Sequence, residues 1–341
     1  MSPGMSRYWR AWSLTLAAAV ALALGAGAFA LRWYVEQRPL PMTSDKVEFR
    51  VKSGTSARGA ARAARDAGID VNELAFASLA RVTGVSQTLR AGRYAVDRGA
   101  TLAQLVAKLR NGEVVLERLT VVEGLTFREM RALLAATPEL RQDSATMTDA
   151  QLMQAIGAGE AHPEGLFAPD TYLYDPGSSD LELWRRAYRS QMSALQDAWT
   201  ARAAELPYKT PYEALIMASI IEKETGQSAE RAMIGGVFIN RLRRGMLLQT
   251  DPTVIYGLGD RFDGNLRKRD LLADGPYNSY TRAGLPPTPI ALPGKAAIAA
   301  ALQPAATDAL YFVARGDGSS EFSNSLDAHN RAVDRFQRGI K

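Results

Sequence analysis

The sequence predicts an α+β protein that follows one membrane-spanning helix. A stretch of 21 residues without charge, Ala11 to Leu31, is long enough to cross a bilayer. Short strands then recur, each closed by a glycine and a hydroxyl residue and followed by an amphipathic helix. The second half of the 341-residue chain carries longer helical patterns, one of them almost wholly apolar. Together these patterns indicate the α+β class.

The composition excludes several kinds of chemistry. The chain has no cysteine, so disulfide frameworks, thiolate zinc sites and cysteine nucleophiles are ruled out. Its two histidines, His162 and His329, are far apart in sequence, which argues against a histidine metal site or a Ser-His-Asp triad. We therefore expect no metal and no cofactor. The net charge of +5 suits anionic partners in general, but no block of like charges is long enough to indicate nucleic-acid binding.

The apolar stretch has two interpretations. Trp12, Trp33 and Tyr34 lie near its two edges, as interfacial anchors do. Ala26-Gly27-Ala28 resembles a cleavage site, so a removed secretory signal is the alternative. A signal usually has about 7–15 apolar residues, and this longer stretch favours a retained anchor. In both cases the remainder is exported, and we expect residues 1–10 to stay in the cytoplasm.

Three strand–glycine–hydroxyl–helix units follow a short linker. The first strand is predicted at Val47 to Val51, where apolar and polar residues alternate, and later strands at 94–96 and 119–122. The hydroxyl residues at the starts of the three helices are Ser56, Thr101 and Thr126. Strand–turn–helix is a common arrangement, and the functional alternative is a module of the LysM type, which binds amino-sugar polymers. The pattern by itself leaves both open.

The middle of the chain is predicted to alternate helix and loop. A helical stretch covers 146–157, and a long amphipathic helix covers 180–205. The Pro/Gly-rich segment 163–177 between them is expected to be irregular. Within it, Glu164-Gly165-Leu166-Phe167 and Pro169-Asp170-Thr171-Tyr172 place aromatic and carboxylate groups in a loop.

The most informative segment is the predicted helix 210–226. Thr210 is suited to cap it, Pro211 fits the first helical position, and Glu213 completes a capping box. The next two turns are apolar apart from one serine, so we expect this helix to be buried on nearly all sides. Gly226 is placed to stop it.

This helix ends in two carboxylates, Glu222 and Glu224. Such an acid can reach solvent or pair with a cation such as Lys223 or Arg231, which is the more common outcome. Alternatively it points into a cleft, where the low dielectric raises its pKa and keeps it protonated. Glu224 lies on the apolar face that carries Met217, whereas Glu222 is rotated about 200° away. This geometry favours Glu224 as a catalytic acid without excluding Glu222.

Polar groups suited to a neutral, hydroxyl-rich ligand are dense between residues 240 and 290. A further helix is expected over 229–244, and 247–257 has the character of a buried strand. Amides and phenols donate and accept hydrogen bonds, and aromatic faces stack on sugar rings. Each residue alone is equally well explained by turn chemistry. The candidate ligand-binding residues are Asn240, Gln249, Asp251, Tyr256, Asn278 and Tyr280.

These segments resemble motifs of the endolytic murein transglycosylases, the MltG/YceG-like family. The resemblance covers nearly all of the exported part. The motifs are EGLFAPDTY (164–172), ASIIEKET (218–225), VFINRL (237–242), LQTDPTVIYG (248–257), YNSYTRAGLPPTPI (277–290), PG (293–294) and YFV (311–313). His329-Asn330 also matches the family. Ser320-Glu321-Phe322 departs from it, because a histidine is expected before the phenylalanine.

The resemblance implies a domain organisation and a location. The implied segments are a cytoplasmic N-terminus (1–10), a transmembrane helix (11–31), a linker (32–45), a LysM-like module (46–115) and a YceG-type α+β catalytic domain (116–341). The chain would be anchored in the cell inner membrane by one span, with the catalytic part in the periplasm. Cell-wall synthases are candidate partners.

The resemblance also implies an activity: cleavage, without water, of the β-1,4 bond between MurNAc and GlcNAc inside peptidoglycan glycan strands. A 1,6-anhydro-MurNAc end would remain, which would terminate or trim nascent strands. Glutamate followed by a hydroxyl residue is typical of lytic transglycosylases, and here that pair is Glu224-Thr225. Two alternatives are a hydrolytic muramidase that uses Asp251 as a second carboxylate, and a non-catalytic wall-binding scaffold.

Overall fold

The computed structural model describes residues 3–52, 54–85, 89–160, 162–224 and 227–339, with the backbone only at 3–11 and 13–15. The chain divides into two compact units, Met1–Glu117 and Arg118–Lys341. Helices and strands are mixed along it, which confirms the predicted α+β class.

The first unit begins with helix α1, Pro3–Glu36. Its segment Leu16–Glu36 is, within the described part of the chain, the one helix long and apolar enough to cross a membrane. Large apolar side chains along it are exposed, with Leu24 at 70%. The helix therefore fits a single-pass anchor or a signal sequence.

An antiparallel strand pair lies at the centre of the rest of this unit. Strand β1, Lys46–Val51, pairs with β2, Gly92–Asp97, so that Phe49 lies opposite Tyr94 and their rings stack at 5.8 Å. Burial alternates along β1 as the sequence predicts. The helices of this unit are α2 (Ala57–Asp66), α3 (Glu73–Val82) and α4 (Leu102–Asn111).

The second unit is mainly helical. Its elements are β3 (Glu117–Thr120), α5 (Phe127–Ala135), α6 (Asp149–Ile156), β4 (Thr171–Tyr174), α7 (Asp180–Thr200), α8 (Pro211–Glu224), α9 (Arg231–Arg243), α10 (Asp251–Leu258), α11 (Lys268–Leu272), α12 (Lys295–Leu302), β5 (Tyr311–Ala314), β6 (Ser320–Ser323) and α13 (Leu326–Val333). Strand β3 pairs with β4, and β5 pairs antiparallel with β6.

The three predicted helix caps are confirmed. Ser56, Thr101 and Thr126 each accept a hydrogen bond from the backbone amide three residues on. At Thr101 and Thr126 the returning bond of a capping box is also present. These caps form because every partner lies within one turn, so the local sequence is sufficient to specify them.

Helix α8 is the centre of the core of the second unit. Its residues Ala214 to Ile221 are all buried, as the apolar run predicts. Helix α9 packs closely in the same core, because a Cβ added at Gly235 would lie 2.5 Å from the carbonyl oxygen of Ala300 in α12. The same added Cβ would lie 3.5 Å from Ile221 Cδ1, so α9 also packs against the part of α8 that directly precedes the candidate acids.

Several predicted elements differ from the structure. Part of 163–177 forms strand β4, because Thr171–Tyr174 pairs with β3. The long helix ends at Thr200 rather than at 205. The predicted buried strand within 247–257 is wrong: Asp251–Leu258 is helix α10. The segment Asp251-Pro252 is a helix-start signal, since an acid favours the first turn and proline fits the first positions.

Candidate active site

Glu224 is the last residue of α8 and is partly buried. The Thr250 hydroxyl, at the start of α10, donates a hydrogen bond to its Oε1. Burial raises the pKa of Glu224, the Thr250 bond lowers it, the nearby charge of Asp251 raises it and that of Arg241 lowers it. Burial has the largest effect of these, so the carboxyl is biased towards its protonated form.

Glu222 has a different environment from Glu224. Its side chain is 5% exposed; Oε1 lies 3.3 Å from the Arg231 guanidinium and Oε2 accepts a 2.8 Å hydrogen bond from the amide of Gly294. A Cβ at position 294 would overlap the Glu123 carboxylate, so the glycine leaves room for this arrangement. Both Glu222 oxygens are therefore occupied by the protein itself.

The helix rotation separates the two acids as the sequence analysis expected. Glu222 is directed to Arg231 and Gly294, whereas Glu224 is directed to the start of α10. Helix α8 ends at Glu224. Thr225 and Gly226, assigned above to the hydroxyl of the motif and to the helix stop, lie outside the described residues.

The segment before α10 is held by Ser279. The amide of Gln249 donates to the Ser279 carbonyl at 3.1 Å, and the amide of Thr250 donates to the Ser279 hydroxyl at 3.0 Å. The Thr253 hydroxyl lies 2.8 Å from the same oxygen. Gln249 has a φ of 49°, which a non-glycine residue adopts only when its surroundings enforce it. This network fixes the Thr250 hydroxyl at Glu224.

Two of the predicted ligand-binding residues, Asp251 and Tyr280, interact electrostatically with Glu224. The Tyr280 hydroxyl donates to Asp251 Oδ1 at 2.5 Å. Burial raises the pKa of Tyr280, the hydrogen bond to Asp251 raises it too, and the charge of Glu224 adds to the effect. Gln249 has an exposed side chain next to Thr250. Asp251 and Tyr280 thus form a bonded polar pair beside the acid.

The other predicted ligand-binding residues make contacts within the protein. The Asn240 amide donates to the carbonyls of Thr307 and Ala309, at 2.8 and 3.1 Å. The Asn278 amide donates to the Ala273 carbonyl at 2.7 Å and to two further carbonyls of the preceding segment. Both side chains thereby hold the backbone of other segments in place. Their predicted role as sugar ligands stays a prediction.

Tyr256 is bonded to Glu164, an acid that was not among the candidates predicted from the sequence. Its hydroxyl donates to Glu164 at 3.0 Å, and the amide of Phe127 donates to the other carboxylate oxygen at 2.9 Å. Glu164 is 3% exposed, and burial raises its pKa to about 7. The available signal was a glutamate two residues before the buried Leu166-Phe167 pair, with no lysine or arginine near it in the sequence.

Arg241 is a second residue that the sequence analysis missed. It is 7% exposed, and its guanidinium donates to the carbonyls of Leu310 and Leu248 at 2.6 and 2.8 Å. It also lies over the Tyr311 ring at 5.1 Å. The His329 ring stacks on Tyr311 at 5.2 Å. An arginine within the apolar run 237–242 was the available signal, because an unpaired charge is rarely buried.

Near the C-terminus, Ser320 is one of the two residues before Phe322, where the family pattern led us to expect a histidine. Its amide and hydroxyl both donate to the Glu230 carboxylate at 2.7 Å. Ser320 thereby ties the start of β6 to the residue that precedes α9.

In this α+β protein, burial raises the pKa of one carboxylic acid, Glu224, which accepts a hydrogen bond from a fixed hydroxyl and has a phenol and a second carboxylate nearby. Such an arrangement is suited to acid–base chemistry. The model of the YceG-like family matches residues 49–335 of the sequence. The chain belongs to the YceG-like family.

Two proteins with similar sequences are both named endolytic murein transglycosylase. An endolytic murein transglycosylase of Bacillus subtilis (strain 168) is 31% identical over 307 residues, which are 85% of this chain and 84% of that protein. An endolytic murein transglycosylase of Streptococcus pneumoniae (strain D39) is 26% identical over 349 residues. That alignment covers 91% of this chain and 62% of the streptococcal protein.

A solved structure shows the same fold. The 2.6 Å crystal structure of a YceG-like protein from Listeria monocytogenes superposes with a TM-score of 0.53 at 30% identity. The match covers 85% of this chain and 99% of the Listeria chain.

Proposed function

We propose that this chain is an endolytic lytic transglycosylase of peptidoglycan. It cleaves the β-1,4 bond between MurNAc and GlcNAc within glycan strands and leaves a 1,6-anhydro-MurNAc end, which terminates or trims nascent strands. The observation that carries the proposal is the environment of Glu224: burial raises its pKa, and a fixed hydroxyl donates a hydrogen bond to it. The names of the bacillary and streptococcal relatives support the same activity.

The chemistry requires one acid that becomes a base. Protonated Glu224 donates its proton to the glycosidic oxygen, and the bond from that oxygen to C1 of MurNAc breaks as positive charge develops at C1. The carboxylate then accepts the proton of the sugar's own 6-hydroxyl while O6 bonds to C1. The proton returns to Glu224, no water is consumed, and the anhydro ring is closed.

Thr250 determines which oxygen carries the proton. Its hydroxyl donates to Oε1, so that oxygen acts as an acceptor and the proton of neutral Glu224 resides on Oε2. When the proton leaves, the same bond becomes charge-assisted and strengthens. Thr250 therefore stabilises the transition state more than the ground state.

The residues around Glu224 have supporting roles in this proposal. Asp251 stabilises the positive charge at C1, and Tyr280 holds Asp251 in place. The residues assigned to sugar hydroxyls and the acetamido group are Gln249, Asn240, Asn278 and Tyr280, and Tyr256 is assigned to substrate binding. Because Glu222 is occupied by Arg231 and a backbone amide, it has a structural role.

The setting of the reaction is also proposed. Helix α1 anchors the chain in the cell inner membrane, and the catalytic part, 116–341, lies in the periplasm, where cell-wall synthases are candidate partners. Residues 46–115 form a LysM-like module that binds the glycan. The pair β1–β2 with α2, α3 and α4, in a compact unit of its own, supports this assignment.

Digestion of glycan strands tests the activity. The full-length protein in detergent is incubated with purified strands, and the products are weighed by mass spectrometry. We expect anhydro ends, one water lighter than hydrolysis products, from the wild type and from Glu222→Gln, and none from Glu224→Gln with an unchanged circular dichroism spectrum. Products one water heavier would instead indicate a muramidase. No cleavage by the wild type would indicate a scaffold.

A further inference from the structure

A pocket of about 640 Å³ lies on the flank of the candidate active site. Lys223 in its wall directly precedes Glu224, and Pro252 in its wall directly follows Asp251. The end of α8 and the first turn of α10 therefore build both the acid site and this pocket. Its volume is in the range of ligand-binding pockets, about 300–1,000 Å³. A substituent on a polymer bound at Glu224 can enter it.

Most of the polar groups in this wall are already bonded within the protein. The Tyr256 hydroxyl donates to Glu164, and the Tyr277 hydroxyl lies 2.8 Å from that of Thr288. Glu129 accepts the Thr126 amide at 2.7 Å in the cap of α5. Apolar and aromatic atoms make up about half of the surface that the wall exposes. Together with the charged groups of the wall, they suit a ligand that has both aliphatic and charged parts.

The aromatic part of the wall is well defined. The rings of Tyr256 and Tyr277 lie 4.9 Å apart at 63°, in edge-to-face contact. Ile255, Ile290 and Pro252 extend the apolar surface. Rings fixed in this way present a rigid face to aliphatic side chains at low entropic cost.

Lys223 is the cation in this wall that lacks a carboxylate partner among the described residues. Its ammonium group lies 3.2 Å from the carbonyl oxygen of Gly124, which uses one of its three donors. Arg128, the other cation in the wall, is paired with Asp260 at 2.6 Å. An ammonium beside an apolar surface is suited to a ligand that carries both a carboxylate and aliphatic groups.

We propose that this pocket binds the acidic peptide branch that substitutes the muramoyl sugar, with a peptide carboxylate on the Lys223 ammonium and aliphatic side chains on Tyr256 and Tyr277. The proposal rests on the proposed function and adds a substrate preference to it: strands that carry peptides are cleaved faster than bare strands. Lys223 is the specificity-determining residue.

The test compares two substrates. Full-length protein is given glycan strands with their peptides, and the same strands after an amidase has removed them. In Lys223→Met the ratio of kcat/KM on peptide-bearing to bare strands falls about tenfold, the size of one charge-assisted hydrogen bond. Lys223→Arg keeps the charge and most of the ratio. Lys295→Met, at the exposed start of α12, is the matched control and leaves the ratio unchanged.

Other outcomes overturn the proposal. If Lys223→Met leaves kcat/KM unchanged on both substrates, Lys223 does not bind the peptide. If kcat/KM falls equally on both substrates, Lys223 acts on the fold or on the chemistry. Binding of muramyl dipeptide to full-length Glu224→Gln, measured by calorimetry, tests the pocket without cleavage. We expect Lys223→Met to weaken it about tenfold. If the wild type cleaves neither substrate but muramyl dipeptide still binds in a Lys223-dependent way, the proposed transglycosylase activity is wrong and the proposed peptide pocket is supported.

Discussion

The hydroxyl of Thr250 offers the sharpest test of how the acid works. Thr250 is 1% exposed, and its hydroxyl donates to Glu224 while its backbone is held by Ser279. Thr250→Val removes the hydroxyl and keeps the branched shape of the side chain. Thr250→Ser keeps the hydroxyl and is the matched control.

The expected loss of kcat follows from the strength of the hydrogen bond between Thr250 and Glu224. A hydrogen bond to a charged group contributes about 1.5–3 kcal/mol. In the proposed mechanism Glu224 becomes charged as the glycosidic bond breaks, so Thr250→Val loses this contribution mainly in the transition state. At 1.36 kcal/mol for each factor of ten, kcat falls roughly 10- to 150-fold. Thr250→Ser is expected to lose much less.

The pH profile separates this role from a merely structural one. The Thr250 bond lowers the pKa of Glu224, so its removal raises that pKa. The first step needs the protonated acid, and the protonated fraction then persists to higher pH. The alkaline limb of kcat/KM therefore moves to higher pH in Thr250→Val and stays in place in Thr250→Ser. A valine variant with the wild-type rate and profile would refute this reasoning.

Three further predictions concern stability. Glu222→Gln lowers the free energy of unfolding by about 1–3 kcal/mol, because it removes the charge that pairs with the half-buried Arg231, yet anhydro products still form. Burial raises the pKa of Glu164 to about 7, against about 4.3 in an unfolded chain, so the folded protein binds more protons. The wild type therefore loses a few kcal/mol of stability as the pH rises from about 4 to about 7, and Glu164→Gln lacks this slope. Gly235→Ala lowers stability by about 1–3 kcal/mol, because its Cβ would lie 2.5 Å from the Ala300 carbonyl oxygen, whereas Gly159→Ala, with open space around it, does not.

Denaturant titrations measure all three effects, with mass analysis of the products for the first. Loss of anhydro products in a fully stable Glu222→Gln variant would indicate that Glu222 is the catalytic acid. Equal pH slopes in the wild type and in Glu164→Gln would show that this carboxyl ionises normally. A stable Gly235→Ala would mean that α9 can move away from α12 at little cost.

Most helices and their starts follow from the local sequence. The caps at Ser56, Thr101 and Thr126 bond to amides three residues away, and the apolar run of α8 identifies a buried helix without knowledge of its neighbours. Helical rotation likewise separates Glu222 from Glu224. The signal for the start of α10, Asp251-Pro252, is equally local. The sequence-based prediction gave more weight to the apolar residues that follow it and therefore placed a strand there.

Only the tertiary structure decided what each acid touches. Thr250 is 26 residues from Glu224, Gly294 is 72 residues from Glu222, and Tyr256 is 92 residues from Glu164. No periodicity in the sequence relates such pairs, because their contacts depend on how α8, α9 and α10 pack. The sequence alone therefore identified Glu222 and Glu224 as candidates for the acid. The packing of the core determined that Glu224 is bonded to a hydroxyl and that Glu222 forms an ion pair. It also determined that Glu164 is buried with a pKa near neutrality. The physical reason is that burial and long-range partners set the energy of a charge.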